Sequence, residues 1–418
     1  MSKDTDLIDE LSSLKKRFWQ CSESVDFQAL HYDCLNRSKN AQPSAVPYLF
    51  SHAARTLLHD VSLWVKSERG FYPSTELNRR VEALLEVPIF VNSRDNYYFE
   101  IVRGILHYIN SRYSDAFIAF SAAARFADFY RIVKDDFGGG AAFAKALPNE
   151  NTLQSLRILR DGKFRTYAAN FKKHGPNILV AFDHLYAQAF CDKWLSWFDS
   201  SKGKVNLHFV VAFRADIEKA FLDDLLHSAS EHHIDLSIHI ETNVDLDRAY
   251  FACLRFMHLS KLLQACEGHF LVMDADLHPK GKVHHDLFSS DGSIVGAISH
   301  GPYLGYLPWR RFSAGFCHVP YNEIGFEFAS SFSRTVSYFW DNRDERNWWI
   351  DQMCLEVTRI LKSLPVRSGN REFWDAYEAS ETYKIQSLSK VPFVADQLSK
   401  GVSIEHAVRE FNFAASRK

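Results

Sequence analysis

Residues 270–276 read Phe270-Leu271-Val272-Met273-Asp274-Ala275-Asp276, four apolar residues followed directly by two carboxylates one residue apart. A short apolar run of this kind predicts a strand buried inside a sheet. Two carboxylates just past such a strand can share a divalent cation, because Mg²⁺ and Mn²⁺ prefer hard oxygen ligands. Asp is also common in solvated turns at strand ends. The triplet by itself therefore leaves both interpretations open.

The hundred residues before this stretch alternate between strand and helix patterns. The predicted elements are, in order, a strand at 178–182, a strand at 205–213, a helix capped by Asp216, a strand at 236–240 and a helix over about 247–265. Such alternation predicts a mostly parallel sheet with helices on both faces. Acidic residues end the predicted strands: Asp183, Glu241, Asp274 and Asp276. We expect them at the carboxyl edge of the sheet, where ligands bind in folds of this kind.

Roughly the first 170 residues predict helices, with Leu7, Leu11, Leu14 and Phe18 at helical spacing. A helix pair is predicted over 97–130, and its second half, Tyr113-x-x-Ala116-x-x-x-Phe120-x-x-Ala123, resembles the second helix of a tetratricopeptide repeat. That weak resemblance implies a protein partner for the helical region, whereas a plain helical hairpin is the alternative. Gly138-Gly139-Gly140 lacks the Lys-Ser/Thr of a phosphate loop and predicts a linker.

Composition narrows the class of protein. A chain of 418 residues suits two domains, and its net charge of −2 excludes strong overall attraction to nucleic acid. No apolar run reaches the about 18 to 20 residues that a membrane span needs. The polar, acidic start is unlike a secretory signal, so we expect a cytoplasmic protein. The seven dispersed cysteines predict reduced thiols rather than disulfides or a zinc site.

The order strand, helix, strand, long helix and then Leu271-Val272-Met273-Asp274-Ala275-Asp276 resembles the nucleotide-sugar-binding half of GT-A glycosyltransferases, in which a DxD motif follows the central strand. Two later segments add to the resemblance. Phe312-Ser313-Ala314-Gly315-Phe316 resembles the family's F-N-A/S-G strand, with Ser313 where Asn is commoner, and Trp348-Trp349-Ile350-Asp351-Gln352 resembles its D-Q segment. The resemblance covers residues 177 to about 362.

The resemblance implies an α/β fold, a GT-A-like, mostly parallel sheet flanked by helices and preceded by an all-helical N-terminal domain. The expected boundaries are a helical domain at 1–170, a transferase domain at 177–365 and a C-terminal helical tail at 366–418 that packs on the transferase domain. The implied activity is hexosyltransferase-like, moving a sugar from a nucleotide-diphosphate donor, a UDP-sugar, to a glycan or protein acceptor.

The resemblance also implies roles for single residues. Asp274 and Asp276 would hold Mn²⁺ or Mg²⁺, and Asp351 would be the catalytic carboxylate. The implied nucleotide-sugar-binding residues are Asp183, Arg255, Lys261, Asp274, Ser313, Ala314, Gly315 and Gln352. For Arg255 and Lys261 a snorkelling surface side chain is the alternative, and Asp351 and Gln352 also suit the first turn of a helix. Some family members add a late His as a metal ligand, and only His406 follows the D-Q segment here; His278, His284, His285 and His318 lie nearer the core motifs.

Two other functions stay open at this point. One is a haloacid-dehalogenase-like phosphatase, in which the first Asp of the triplet is the nucleophile and a further acidic pair follows another apolar strand. Asp341 and Asp344 are in a stretch that predicts a helix end, which disfavours this function. The other is a non-catalytic helical scaffold fused to an inactive transferase fold, which the tetratricopeptide-like segment would suit.

Overall fold

The structure, a computed structural model, describes residues 12–43, 45–66, 76, 79–80, 83–84, 86–87, 100–101, 103–108, 112–125, 143, 164–199, 205–213, 219–242, 248–275, 277–279, 292–298, 307–309, 311–341, 350–364, 366–368 and 377–379. The chain divides into two compact units. The first unit comprises Met1–Asn149, Ser299–Phe312 and Phe339–Val357, and the second comprises Glu150–Ile298, Ser313–Tyr338 and Thr358–Lys418. None of the helices in the described ranges is long and apolar enough to cross a membrane.

The described part of the first unit is helical. Residues 12–20 are helical, and the longer helices are α1 (Ser24–Asn40), α2 (Val46–Lys66) and α3 (Tyr113–Ala124). Helices α1 and α2 pack on each other, and the imidazole Nδ1 of His31 lies 2.8 Å from the carbonyl oxygen of Ala53 between them. A short connection joins α1 to α2, so the two helices are antiparallel neighbours, as in a helical hairpin.

The predicted helix pair around residue 110 is confirmed where the structure describes it, since residues 103–108 and α3 are helical. A Cβ added to Gly104 would lie 2.4 Å from the ring of Phe120, so glycine is needed for this close approach. Trp309 completes the aromatic core, with its ring centroid 5.8 Å from that of Phe120 and 6.0 Å from that of Phe143. The first unit therefore takes part of its core from chain far beyond residue 149.

The second unit is built on an eight-stranded mixed sheet. Its strands are β1 (Arg165–Ala168), β2 (Asn177–Asp183), β3 (Asn206–Phe213), β4 (Leu236–Thr242), β5 (Phe270–Met273), β7 (Ile294–Ile298), β8 (Phe312–Val319) and β9 (Val366–Ser368), while β6 (Leu277–Pro279) and β10 (Tyr377–Ala379) form a separate pair. The strand order in the large sheet is β1-β4-β3-β2-β5-β8-β7-β9. Strands β2 to β5 are mutually parallel, β1 runs antiparallel to β4, and β8 runs antiparallel to β5.

Helices connect and flank these strands: α4 (His184–Asp199), α5 (Lys219–Glu231), α6 (Arg248–Met257), α7 (Leu259–Cys266) and α8 (Glu323–Asp341). Helix α9 (Ile350–Leu361) begins in the first unit. One face of the sheet carries Ile, Val, Leu and Phe and packs on α4 and α5 in a single apolar cluster. Helix α6 contacts β2, β3 and β5. The fold is thus α/β, a sheet flanked by helices and preceded by a helical region, as the sequence predicts.

The predicted strands agree with observed ones, but three local features differ from the prediction. The helix predicted over 247–265 is interrupted at His258, which separates α6 from α7 and directs its imidazole to Glu241. Strand β1 falls inside the stretch predicted to be helical, and it is extended because it pairs with the edge of β4. The two described segments of the tail, β9 and β10, are strands, and the helix expected from about Ser403 lies outside the described residues.

Candidate functional site

The candidate site lies at the point where the order of the parallel strands reverses. From β2 the chain moves to β3 and then to β4 on one side, and it returns to β5 on the other side of β2. Open α/β sheets bind ligands in the crevice beyond the carboxyl ends of the strands at such a switch point. Asp183 is the last residue of β2, and Asp274 directly follows β5. The topology therefore places these two predicted residues on the strands that flank the crevice.

Asp274 is held by backbone and side-chain bonds. Its N–H donates to the carbonyl of Gly315 at 2.9 Å, and its own carbonyl accepts from the N–H of Leu277 at 3.2 Å. Its carboxylate Oδ1 forms an ion pair with Arg255. The Arg255 guanidinium also donates to the carbonyl of Ala314 at 2.9 Å. Arg255 thus ties the end of β5 to β8.

The two members of the ion pair between Arg255 and Asp274 differ in burial. The side chain of Arg255 is 3% exposed, whereas the side chain of Asp274 is 35% exposed. A buried guanidinium needs a partner, because an uncompensated charge is costly away from water. Arg255, which the resemblance assigns to the donor phosphates, therefore has a carboxylate and a carbonyl as its partners.

The small residues of β8 make room for that carboxylate. A Cβ added to Gly315 would lie 2.8 Å from Oδ2 of Asp274 and 3.4 Å from the hydroxyl of Ser313. Ser313 and Gly315 share one face of the strand, because side chains alternate along it. The carboxylate of Asp274 consequently packs on the face of β8 that carries Ser313 and Gly315. A larger side chain at position 315 would displace this carboxylate.

The other two predicted residues of the second unit lie in different surroundings. Oδ1 of Asp183 accepts the N–H of Tyr186 at 2.7 Å, so Asp183 caps the start of α4. Lys261 is exposed on α7, with its ammonium 5.6 Å from the ring centroid of Phe164.

Asp351 and Gln352 belong to the first unit. Asp351 is in the first turn of α9 and is 6% exposed, and its Oδ1 accepts the N–H of Gln352 at 2.8 Å. This is the helix-start environment that the sequence left as an alternative. Burial raises the pKa of the neighbouring Cys354 thiol well above its usual value, and the charge of Asp351 adds to that rise.

The donor chemistry at Asp274 suits a hard cation. One carboxylate oxygen is paired with Arg255, while the other faces the backbone of Gly315 at the partly exposed end of β5. In the ranges that the structure describes, no group of three or more His, Cys, Asp and Glu residues could hold a metal ion. Asp276, the second predicted ligand, lies outside those ranges, as do His284, His285 and His406. His318 lies on β8, fully buried and stacked on His269.

The sequence reasoning did not find the polar face of the sheet. Glu241 at the end of β4 is buried and bonded to both Tyr250 and His258. His208 and His239 are buried on β3 and β4, where desolvation lowers the pKa of His239 to about 4 and lowers the pKa of His208 well below its usual value. The sequence does carry a pattern that predicts this polar face, because Ser237, His239 and Glu241 alternate with apolar residues along one strand.

No protein-family model matches the chain, and no curated protein matches it. Similar solved structures include the apo form of the WbbM bifunctional glycosyltransferase, 13% identical with a TM-score of 0.34 over 48% of this chain and 39% of that one. They also include the glycosyltransferase GlyE of Streptococcus pneumoniae TIGR4, 15% identical in its apo form and 13% in another structure, each with a TM-score of 0.34 over 48% of this chain and 46% of that one. The match spans less than half of each of those proteins, and a likeness this distant decides neither substrate nor activity.

Proposed function

We propose that the protein is a metal-dependent glycosyltransferase that moves a sugar from a UDP-sugar to a glycan or protein acceptor. The observation that carries this proposal is the position of Asp274. It follows β5 at the switch point of the sheet, with its carboxylate fixed by Arg255 over the small residues of β8. A carboxylate that is both fixed and partly exposed at this edge suits a cation that bridges to a diphosphate.

In this proposal Asp274 and Asp276 would hold Mn²⁺ or Mg²⁺, which would supply the positive charge that stabilises the nucleoside diphosphate as a leaving group. Asp183, at the neighbouring strand end, lies by the nucleoside. The face of β8 that carries Ser313 and Gly315 receives the sugar, and Ala314 contributes through its backbone carbonyl, which holds Arg255. Arg255 acts on the donor through Asp274 rather than by contact with the phosphates.

The transfer breaks the bond between the anomeric carbon and the β-phosphate oxygen and forms a bond to the acceptor hydroxyl oxygen, whose proton leaves. We assign Asp351 as the carboxylate that accepts this proton in an inverting enzyme, or that stabilises positive charge at the anomeric carbon in a retaining enzyme. Gln352 would contact the sugar or acceptor, and Lys261 the phosphates.

Binding of UDP to the full chain with and without Mn²⁺, measured by calorimetry, is the first test. We expect Mn²⁺-dependent binding in the wild type and its loss in Asp276→Asn. That variant is cleaner than Asp274→Asn, because the latter also leaves the buried Arg255 without its carboxylate. Asp223→Asn, a change of an exposed Asp on α5, is the matched control. Equal UDP affinity in all three proteins, or none in the wild type, would overturn the proposal.

Hydrolysis of UDP-sugars without acceptor separates this function from an inactive scaffold. A transferase should release UDP slowly and only with Mn²⁺ or Mg²⁺, whereas a scaffold should release none. The phosphatase alternative is disfavoured by two structural observations. Asp341 is the last residue of helix α8 rather than the end of a strand, and β8 runs antiparallel to β5.

A further inference from the structure

Besides the ion pair between Asp274 and Arg255 of α6, the Asp274-Ala275 turn receives a bond from a second helix. The indole N–H of Trp194, on α4, donates to the carbonyl oxygen of Ala275 at 2.8 Å. Ala275 is the middle residue of Asp274-Ala275-Asp276. Both Trp194 and Ala275 are buried in the cluster that packs α4 on the sheet. This bond therefore forms where water cannot replace it.

The bond completes the restraint of the turn. The N–H of Asp274 is bonded to Gly315 and its carbonyl to Leu277, while Arg255 holds the carboxylate. The carbonyl of Ala275 belongs to the peptide group that leads into Asp276, and a peptide group is planar. Fixing that carbonyl consequently restrains the plane of the peptide group that follows Asp274-Ala275.

We propose that Trp194 is a positioning residue that holds the Asp274-Ala275 turn in place for metal binding by Asp274, through the carbonyl of Ala275. The link to metal rests on the proposed function, whereas the restraint of the turn does not. Groups that orient the ligands of a metal typically contribute about 10- to 100-fold to its affinity. Trp194 acts through the backbone, and it would not itself touch the metal or the donor.

Helix α4 gives this bond a further consequence. The same helix is capped at its start by Asp183, the acidic residue at the end of β2. One rigid element therefore reaches both strand ends that flank the switch point, Asp183 at its first turn and Ala275 through Trp194. A shift of α4 would change both sides of the candidate site together.

The test compares Trp194→Phe, which removes the N–H but keeps an aromatic ring, with Phe190→Leu. Phe190 is buried in the same cluster on the same helix, so its variant reports general loss of packing. Hydrogen–deuterium exchange of the segment 273–279, without metal, is the first measurement. We expect faster exchange in Trp194→Phe than in Phe190→Leu at equal loss of melting temperature. Equal exchange in the two variants would overturn the positioning role.

The second measurement is Mn²⁺ affinity in the presence of UDP, from the electron paramagnetic resonance signal of free Mn²⁺. Trp194→Phe should weaken it about 10- to 100-fold and Phe190→Leu by much less. If the wild type binds no Mn²⁺, the proposed function fails while the exchange result still decides the role of Trp194. If Trp194→Phe does not fold, 3-benzothienylalanine at position 194, which replaces the indole N–H by sulfur, serves in its place.

Discussion

At the scale of single residues, the candidate site depends on how Asp274 is fixed. Arg255 is a buried cation whose partners are a carboxylate on one strand end and a carbonyl on the neighbouring strand. Gly315 supplies the space in which that carboxylate lies. The chemistry proposed for Asp274 consequently depends on two residues that need not contact any ligand.

Gly315→Ala tests the space beside Asp274. The added Cβ would meet Oδ2 of Asp274 at 2.8 Å, so the carboxylate must move. We expect Mn²⁺-dependent UDP binding to weaken about 10-fold or more, the scale of a disturbed metal environment, with a stability loss of about 1–3 kcal/mol from overpacking. Gly104→Ala is the matched control, since its Cβ would crowd the Phe120 ring in the first unit. A control that lost UDP affinity as strongly would show that the effect is one of stability.

Arg255→Lys tests the tie between β5 and β8. A lysine keeps the charge but has a single donor group, so it cannot hold Asp274 and the carbonyl of Ala314 in the same planar fork. We expect a stability loss of about 1–3 kcal/mol, the cost of a buried group left without a partner. Lys261→Met, on the exposed surface of α7, should leave the free energy of unfolding unchanged. Denaturant unfolding measures both, and equal stability of Arg255→Lys and wild type would contradict this role.

At the scale of elements, β3 and β4 carry a chain of neutral histidines. The amide of Asn177 donates to backbone carbonyls, which leaves its Oδ1 to accept from Nε2 of His208 at 3.0 Å. Nδ1 of His208 then accepts from Nε2 of His239 at 3.3 Å, and Nδ1 of His239 accepts from the hydroxyl of Thr166 at 3.1 Å. Adding a proton to Nδ1 of His208 would place it against the N–H of His239, so two donors would face each other.

These buried, hydrogen-bonded histidines predict that the protein loses stability in acid. The unfolded chain protonates these imidazoles below about pH 6.5, whereas burial in the folded state lowers the pKa of His239 to about 4 and lowers the pKa of His208 well below its usual value. Stability present above about pH 6.5 is therefore lost as pH falls towards about 4, by up to about 1.4 kcal/mol per pH unit for each ring. Urea unfolding between pH 7.5 and 4.5 should show a shallower dependence in His239→Gln than in wild type. His227→Gln, whose side chain is 77% exposed, should retain the wild-type slope.

The start of α9 is the second element with a testable role. Asp351→Asn should lower kcat by on the order of 10²-fold if the carboxylate takes part in the reaction, with UDP affinity unchanged. If Asp351 only stabilises the first turn of the helix, its loss costs about 1 kcal/mol or less and turnover stays near normal. Turnover, UDP affinity and melting temperature measured together separate the two roles. A lower melting temperature with normal turnover would remove Asp351 from the proposed mechanism.

At the scale of the whole molecule, the first unit is assembled from three separate segments of chain. Tyr108 donates its hydroxyl hydrogen to Glu356, and Arg311 donates to the Tyr108 oxygen at 3.0 Å. Glu356 is fully buried. Burial of the Tyr108 hydroxyl and the neighbouring charge of Glu356 raise the pKa of Tyr108 well above its usual value. Together with Trp309, these contacts join the N-terminal segment to residues beyond 299.

We therefore expect the two fragments of a chain cut near residue 139 to stay associated. With a specific protease site inserted at Gly138-Gly139-Gly140, we expect the two fragments to co-elute after cleavage, because Trp309 and Glu356 would otherwise be exposed without their partners. Trp309→Ala should let the fragments separate, since removing a buried aromatic ring costs about 3–5 kcal/mol. Ile118→Ala, at an exposed position of α3, is the control. A separated C-terminal fragment that still bound UDP would show instead that residues 177–365 fold as an independent domain.

Much of the second unit could be predicted from the sequence because its strands are buried on both faces. The strands predicted at 178–182, 205–213, 236–240 and 270–273 each agree with an observed strand to within two residues. Strand β1 could not be predicted, because four residues with two exposed side chains carry no periodic signal. The break at His258 was also missed, since it depends on Glu241, a partner 17 residues earlier in the chain.

The sequence by itself determined the elements of this protein, the carboxylates that end its strands and the order of its motifs, because hydrophobic period and local turn chemistry are properties of neighbouring residues. Only the tertiary structure decided that β2 and β5 are adjacent, that Arg255 pairs with Asp274, and that Trp194 holds the carbonyl of Ala275. The two side-chain contacts join residues that are 19 and 81 positions apart. Their formation depends on how helices and strands pack, which no local pattern records.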